Sequence, residues 1–267
     1  MTAEVTARFN PFAAEFRRDP YPMYRVLRET RPVHKTMGMW VLTRHADVRA
    51  VLCGGAFSAA LIPALVSRQA AATTGGTDGD RLDDEEAAFI CVMCFVAGHE
   101  TTKSMIGNGL LALLRHPEQG ERLRRDPRQA GPAVTEALRY DSPLQLTKRV
   151  AIRDVEIGGH LVSAGEQVLL CLGAANRDPE AFGRPDEFDI SRDAPASTPA
   201  HLALGHGMHG CLGGALAQLQ ATVAFECLYR LPGRLEPAVP PSALEWQDRS
   251  LIVRGLKRLP VTLRGDS

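Results

Sequence analysis

The chain has 267 residues, of which 45% are hydrophobic and 23% charged, and its 31 basic and 31 acidic residues give a formal net charge of zero. It has neither a basic tract for nucleic acid nor an apolar run of the roughly 20 residues that cross a bilayer. We therefore expect neither nucleic acid nor a membrane as a partner. Residues 1–10 lack the apolar core of a signal peptide, and six cysteines without disulfide-scaffold spacing indicate reduced thiols in a cytoplasmic enzyme.

Small and polar residues dominate positions 70–80, which predicts a linker.

An apolar run from Asp83 or Asp84 to Arg115 predicts one continuous helix about 48 Å long. Acidic residues suit its start, and Pro117 marks its end. The run contains Ala97-Gly98-His99-Glu100-Thr101-Thr102, where a glycine and a threonine hydroxyl that can bond back to the helix predict a local distortion. Taken alone, these six residues are compatible with a polar break in a core helix and equally with a groove for dioxygen and water.

Two of the six cysteines, Cys91 and Cys94, form a C-x-x-C within this predicted helix. A zinc site needs a second pair of ligands, and none follows nearby in the sequence. The spacing therefore favours helix packing over zinc binding or redox chemistry.

A second predicted helix, at 132–140, contains Glu136 and Arg139 three residues apart. Side chains at this spacing share one face and can pair, although such pairs contribute little on a solvated helix. A strand-like alternation follows at 147–152 and includes Arg149, which by pattern alone is an exposed strand charge. A hairpin is predicted at 157–166.

The most informative stretch is the loop at 204–214, which holds one cysteine among several glycines. Gly205 and Gly213, together with the glycines at positions 207 and 210, let the backbone turn sharply and approach a flat ligand. The segment at 212–229 predicts a helix whose positive end lies beside Cys211 and favours the thiolate form. The loop can therefore hold a thiolate against a metal, although a lone buried cysteine is more often simply a small apolar residue.

The cysteine loop, the Glu-x-x-Arg pair and the Ala-Gly-x-Glu-Thr sequence together resemble the cytochrome P450 family. The resemblance implies heme b (iron protoporphyrin IX), with Cys211 as the axial ligand of the iron in a loop that includes Gly205 and Gly213. It also implies that Arg149 and His209 bind the heme propionates.

The resemblance assigns two further pairs of residues. Glu100 and Thr101 match the pair that delivers protons to dioxygen, and Glu136 and Arg139 match the buried pair behind the heme. A third, basic member of that buried pair is expected in the later proline-containing loop, where Arg184 or Arg192 is available. One departure is Leu204, since the family usually has an aromatic residue there.

By the same resemblance the fold is mainly α with a small β region, a truncated P450 fold in one domain of residues 1–267. Its parts are an N-terminal helix and sheet region (1–58), a deletion junction and linker (59–82), and the oxygen-binding helix with the heme-binding core (83–267). In the N-terminal region the resemblance implies a short helix through Arg28, strands at 33–36 and 39–43, and a second short helix at 46–52. The deleted section would contain the distal-face and lid helices. Apolar residues at 89–96 would then be exposed, so we expect either self-association or a capping partner protein.

The function implied by the resemblance is that of a heme-thiolate oxidoreductase of the monooxygenase type in secondary metabolism. It would insert oxygen from dioxygen or peroxide into a small organic substrate and receive electrons from a ferredoxin-type donor. The alternative is a catalytically impaired homologue that acts as an auxiliary or scaffold protein for another biosynthetic enzyme. A heme sensor or carrier is a third alternative, for which no residue provides specific support.

Overall fold

The computed structural model describes residues 9–59, 83–192 and 200–265, and it is mainly helical with small sheets, as predicted. The N-terminal part consists of α1 (Ala14–Arg18), α2 (Tyr21–Thr30), β1 (Val33–Thr36), β2 (Met39–Leu42), α3 (His45–Cys53) and β3 (Phe57–Ser58). These elements confirm the helices and strands expected in the first 58 residues. The predicted linker and nearly all of the deletion junction lie outside the described residues.

The C-terminal part contains the longest helix, α4 (Asp84–Arg115), and the elements that surround it. They are α5 (Pro117–Arg125), α6 (Ala130–Tyr140), β4 (Leu146–Ala151), β5 (Val155–Ile157), β6 (His160–Val162), β7 (Gln167–Cys171), α7 (Leu172–Ala175), α8 (Gly214–Tyr229), β8 (Arg234–Pro237) and β9 (Val261–Arg264). None of the helices within the described ranges is long and apolar enough to span a membrane.

Strands from the N-terminal part and from the middle of the chain form one five-stranded sheet in the order β1-β2-β7-β4-β3. In this sheet β2 runs parallel to β7, with Val41 opposite Leu169, and β3 runs antiparallel to β4, with Phe57 opposite Ala151. Two of the N-terminal strands, β2 and β3, are therefore hydrogen-bonded to strands that lie about 90 to 130 residues later in the chain.

Helix α4 has a capping box at its start, where the backbone N–H of Glu86 donates to the Asp83 carboxylate (2.8 Å) and that of Asp83 donates to Glu86 (3.1 Å). Residues 84–115 are α-helical throughout, so the distortion predicted at Gly98 is wrong. A side chain built on Gly98 would meet nothing within 4 Å, which means that no packed neighbour bends the helix there.

The largest core lies between the second half of α4, α6 and α8. The helices approach each other closely at Gly109 of α4, where an added Cβ would lie 2.6 Å from the ring of Phe225 on α8 and 2.9 Å from the Cβ of Ala137 on α6. Burial of α4 side chains begins only at Ser104 among the described residues.

Large apolar side chains in the first half of α4 face solvent and form what we call the exposed apolar stretch. Its members, with their exposed fractions, are Phe89 (43%), Ile90 (39%), Val92 (60%), Met93 (40%), Phe95 (77%) and Val96 (61%). Cys91 and Cys94 lie within the same stretch and are exposed free thiols, so they do not pack in a core as the C-x-x-C spacing had indicated.

Candidate functional site

The cysteine loop is shaped by two glycines with positive φ and by backbone hydrogen bonds. Gly205 (φ 71°) and Gly207 (φ 69°) adopt the left-handed region that favours glycine. The Cys211 N–H donates to the Leu204 carbonyl (2.8 Å), which closes the loop. A Cβ on Gly207 would lie 2.9 Å from the carbonyl oxygen of Leu52, so the loop packs tightly against the end of α3.

The loop presents the Cys211 thiol and its neighbours to solvent. Cys211 is a free, exposed thiol, and α8 begins three residues after it at Gly214. His209 is also exposed, and Met208 and Leu212 are 88% and 90% exposed. This surface therefore combines a thiol with an apolar rim, which is unusual for a face that stays in contact with water.

Arg149 on β4 is a buried cation without an anionic partner among the described residues. It is 7% exposed, and its Nη1 donates only to the Lys148 carbonyl (2.8 Å) and the Thr147 hydroxyl (3.3 Å). Burial lowers the pKa of this guanidinium. An unpaired buried cation is costly, so this site is suited to an anionic ligand group.

Glu136 and Arg139 form a buried, doubly hydrogen-bonded pair on α6. Arg139 Nε and Nη2 donate to the two carboxylate oxygens of Glu136 at 2.8 Å each. Arg139 is 2% exposed and Glu136 is 4% exposed. Of the two alternatives for the third member, Arg192 contacts Glu136, with its Nε 3.1 Å from Oε2. Arg184 instead pairs with Glu187 and Asp189.

Glu100 and Thr101 lie on α4 just before its buried half. Glu100 is paired with Lys103 (2.8 Å), whose hydrogen bond lowers the pKa of this carboxyl. The Thr101 hydroxyl donates to the Ala97 carbonyl one turn earlier (2.6 Å). No hydrogen bond or ion pair links either residue to the cysteine loop within the described part of the chain, so the structure does not bring these two groups into direct contact.

Two polar residues near the loop were given no role by the sequence. Asn176, fully buried, accepts a hydrogen bond from the Leu202 N–H through its Oδ1 (2.6 Å). His201 lies next to Arg139 and Glu136, and burial together with Arg139 lowers its pKa to about 4. The signal that could have identified His201 is its position in the apolar run that leads into the loop.

The residues present are suited to the heme that the resemblance implies. An exposed thiol with an apolar rim matches the needs of a flat apolar ligand with a bound metal, and the unpaired Arg149 guanidinium matches an anionic substituent. No cluster of three or more His, Cys, Asp or Glu side chains that could hold a metal ion by themselves occurs in the residues described.

Comparison with known proteins agrees with the resemblance seen in the sequence. The family model "Cytochrome P450" matches residues 2–230. The biotin biosynthesis cytochrome P450 of Bacillus subtilis (strain 168) is 48% identical over 188 residues, which are 70% of this chain and 46% of that protein. The cytochrome P450 monooxygenase PikC of Streptomyces venezuelae is 43% identical over 192 residues, 72% of this chain and 45% of that protein. The chain thus spans about half the length of the curated relatives that it matches.

Solved structures agree with these relatives. P450BioI, solved in complex with an acyl carrier protein ligated to hexadec-9Z-enoic acid, superposes with a TM-score of 0.80 at 27% identity and covers 94% of this chain and 100% of its own. The ligand-free P450 monooxygenase TamI gives 0.82 at 26% identity, with 95% and 93% covered. With a family match from residue 2 to residue 230 and this shared fold, the chain belongs to the cytochrome P450 family.

Proposed function

We propose that this chain is a heme-thiolate oxidoreductase of the monooxygenase type. The observation that carries the proposal is the exposed Cys211 thiol on a glycine-shaped loop of a P450 fold. Cys211 would bind the iron of heme b, Gly205 and Gly213 would keep the loop close to the ring, and Arg149 and His209 would bind the propionates. Bound heme supplies oxygen activation, and a cysteine thiolate ligand favours O–O cleavage.

Glu100 and Thr101 would handle the protons of the reaction. The Thr101 hydroxyl donates to the Ala97 carbonyl (2.6 Å), so its oxygen can accept a hydrogen bond from a neighbouring group, and it must turn away from Ala97 before it can donate its own proton. The Glu100 side chain is 47% exposed and can exchange protons with water, while Lys103 favours its ionised form. In this proposal Glu100 takes up a proton from solvent and gives it to the Thr101 oxygen as Thr101 donates its own proton, so that the hydroxyl is neutral before and after the transfer.

The substrate would be a small organic molecule, oxidised with dioxygen and electrons from a ferredoxin-type donor or with peroxide. Relatives are named for the biosynthesis of biotin and of polyketides, which supports a substrate from a biosynthetic pathway. The absence of nucleic-acid and membrane partners remains our expectation from the neutral composition, and a cytoplasmic location is part of the same proposal.

We further propose that a second copy of this chain covers the exposed apolar stretch of α4. The stretch lies between an acidic first turn and Lys103, so antiparallel packing of two α4 helices would bring Lys103 of each copy toward the acidic first turn of the other, in addition to its own partner Glu100. Exposed apolar surface of this kind is a typical interface. A capping partner protein is the competing occupant.

The test is the absorption spectrum of the reduced, heme-reconstituted protein with carbon monoxide. We expect the red-shifted Soret band of a thiolate complex in the unchanged chain and its loss in Cys211→Ala. Cys227→Ala is a matched control, because Cys227 is also an exposed thiol and lies on α8. A thiolate-type band that survives in Cys211→Ala would contradict the proposal.

One observation favours the auxiliary or scaffold role as a second candidate function. The chain spans about half the length of its curated relatives, and a partial P450 fold can still present a docking surface without turnover. The intact Cys211 argues against this role. Failure of the purified protein to take up heme in the same experiment would favour it.

A further inference from the structure

Asn176 connects the segment that leads into the cysteine loop to the C-terminal end of helix α6 through three hydrogen bonds. Its side chain is fully buried. Oδ1 accepts from the Leu202 N–H (2.6 Å), Nδ2 donates to the Ser142 hydroxyl (2.8 Å), and its backbone carbonyl accepts from Arg139 Nη1 (3.0 Å).

On the loop side, the hydrogen bonds continue from Leu202 to Cys211. The Leu202 carbonyl accepts from the Gly205 N–H (3.0 Å), and the Leu204 carbonyl accepts from the Cys211 N–H (2.8 Å). Leu202 is itself fully buried. A shift at Leu202 would therefore be transmitted to the backbone that presents Cys211.

On the helix side, two routes from α6 meet at Asn176. Ser142 lies just beyond the C-terminal end of α6, and its hydroxyl donates to the carbonyl of Leu138 within the helix (2.8 Å). Arg139 is fixed by its two hydrogen bonds to Glu136. Asn176 is thus held through its side chain by Ser142 and through its backbone by Arg139.

The orientation of the Asn176 amide follows from the chemistry of Ser142. A hydroxyl has one hydrogen, and that of Ser142 is used on Leu138, so the oxygen can only accept from Asn176. The Asn176 NH₂ group must therefore face Ser142, and its carbonyl oxygen must face the Leu202 N–H. Among the common side chains of this size, an amide alone offers a neutral donor and acceptor at these two places.

We propose that Asn176 is a positioning residue for Cys211, which fixes the cysteine loop to α6 through Leu202. The proposal rests on the proposed function only in that Cys211 is the functional thiol. The hydrogen bonds belong to the chain itself, so the test uses the protein without heme.

The test is amide hydrogen exchange of residues 200–214 in Asn176→Ala. Loss of the buried hydrogen bond should make the Leu202, Gly205 and Cys211 amides exchange about tenfold faster through local opening. The interior of α6 should keep its protection. Alkylation of Cys211 by iodoacetamide should change in rate, whereas that of Cys227 should not.

Asn108→Ala is the matched control, because Asn108 is also a buried asparagine. It is 1% exposed, and its Nδ2 donates to the Arg254 carbonyl (3.1 Å) and lies 3.4 Å from that of Asp141, away from the loop. We expect a comparable loss of global stability in this variant without selective loosening of residues 200–214. Equal exchange of the loop in both variants would overturn the proposal.

Ser142→Ala is a milder variant that decides the question if Asn176→Ala does not fold. It removes the group that orients the amide but leaves the Leu202 hydrogen bond possible. The loop should then exchange faster than in the unchanged chain and slower than in a folded Asn176→Ala. Unchanged loop protection in Ser142→Ala would count against the role of Asn176. Since heme is absent, failure of heme uptake would refute the proposed function without affecting this result.

Discussion

The Glu136 carboxylate accepts hydrogen bonds from two arginines, Arg139 and Arg192, in a site that is nearly closed to water. One carboxylate therefore compensates two cations, and further compensation comes from backbone carbonyls, such as that of Pro185 2.7 Å from Arg139 Nη1. A third cation beside this cluster would be unfavourable. His201 lies there, which explains why its neutral form is favoured.

The stability of the chain should therefore fall between pH 6.5 and pH 4 through His201. Its pKa in the folded chain is lowered to about 4 from 6.5, so over this range the unfolded chain binds the proton more readily. The stabilisation from neutral His201 is complete above pH 6.5 and is lost as the pH falls toward 4. The free energy of unfolding should fall by roughly 2–3 kcal/mol over this range. Urea unfolding at pH 7, 5.5 and 4.5 measures it.

His201→Gln should flatten this pH dependence. His99→Gln is the control, because the His99 side chain is 69% exposed and lies outside the core. If the two variants show the same pH slope as the unchanged chain, the assignment to His201 is wrong.

At the scale of elements, the packing of α4 against α6 and α8 depends on one glycine. Gly109→Ala should lower the free energy of unfolding by about 1–3 kcal/mol, because its Cβ would lie within 3 Å of both Phe225 and Ala137. Gly107→Ala, two residues earlier on the same helix, meets nothing within 4 Å and should raise stability by up to about 1 kcal/mol. Thermal unfolding compares the two, and a stabilising Gly109→Ala would contradict the packing.

How far the sequence predicts these elements depends on the range of the interactions involved. The start of α4 could be predicted because Asp83 and Glu86 act within one turn, and its end because Pro117 follows directly. The choice between Arg184 and Arg192 could not, because it depends on how the chain returns to Glu136 more than fifty residues after it. The distortion at Gly98 was predicted from local chemistry that straight helices also accommodate.

For the candidate site, the sequence indicated Cys211 and the glycines because their spacing is local. The buried state of Arg149 and the hydrogen bonds of Asn176 arise from tertiary packing, which no local pattern shows. The resemblance to the P450 family had assigned a role to Arg149, whereas a role for Asn176 follows only from the structure.

At the scale of the whole molecule, the exposed apolar stretch should determine the oligomeric state. We expect light scattering after size exclusion to give the mass of two chains, and Phe95→Glu to give one, because a charge at the most exposed member of the stretch would be costly to bury. Phe12→Glu is the control, since Phe12 is 60% exposed but lies before α1. A monomeric unchanged chain that does not bind a hydrophobic dye would contradict this prediction.

The parallel pairing of β2 with β7 also determines when the molecule can fold during synthesis. Trp40 pairs with Val168, so the β2 edge has no partner until about 130 further residues have left the ribosome. At typical bacterial elongation rates of about 5–20 residues per second, this takes roughly 6 to 25 s. During that interval the β1–β2 hairpin presents an unpaired edge to other nascent chains, so the yield of native protein should depend on translation speed and on chaperones that protect such edges.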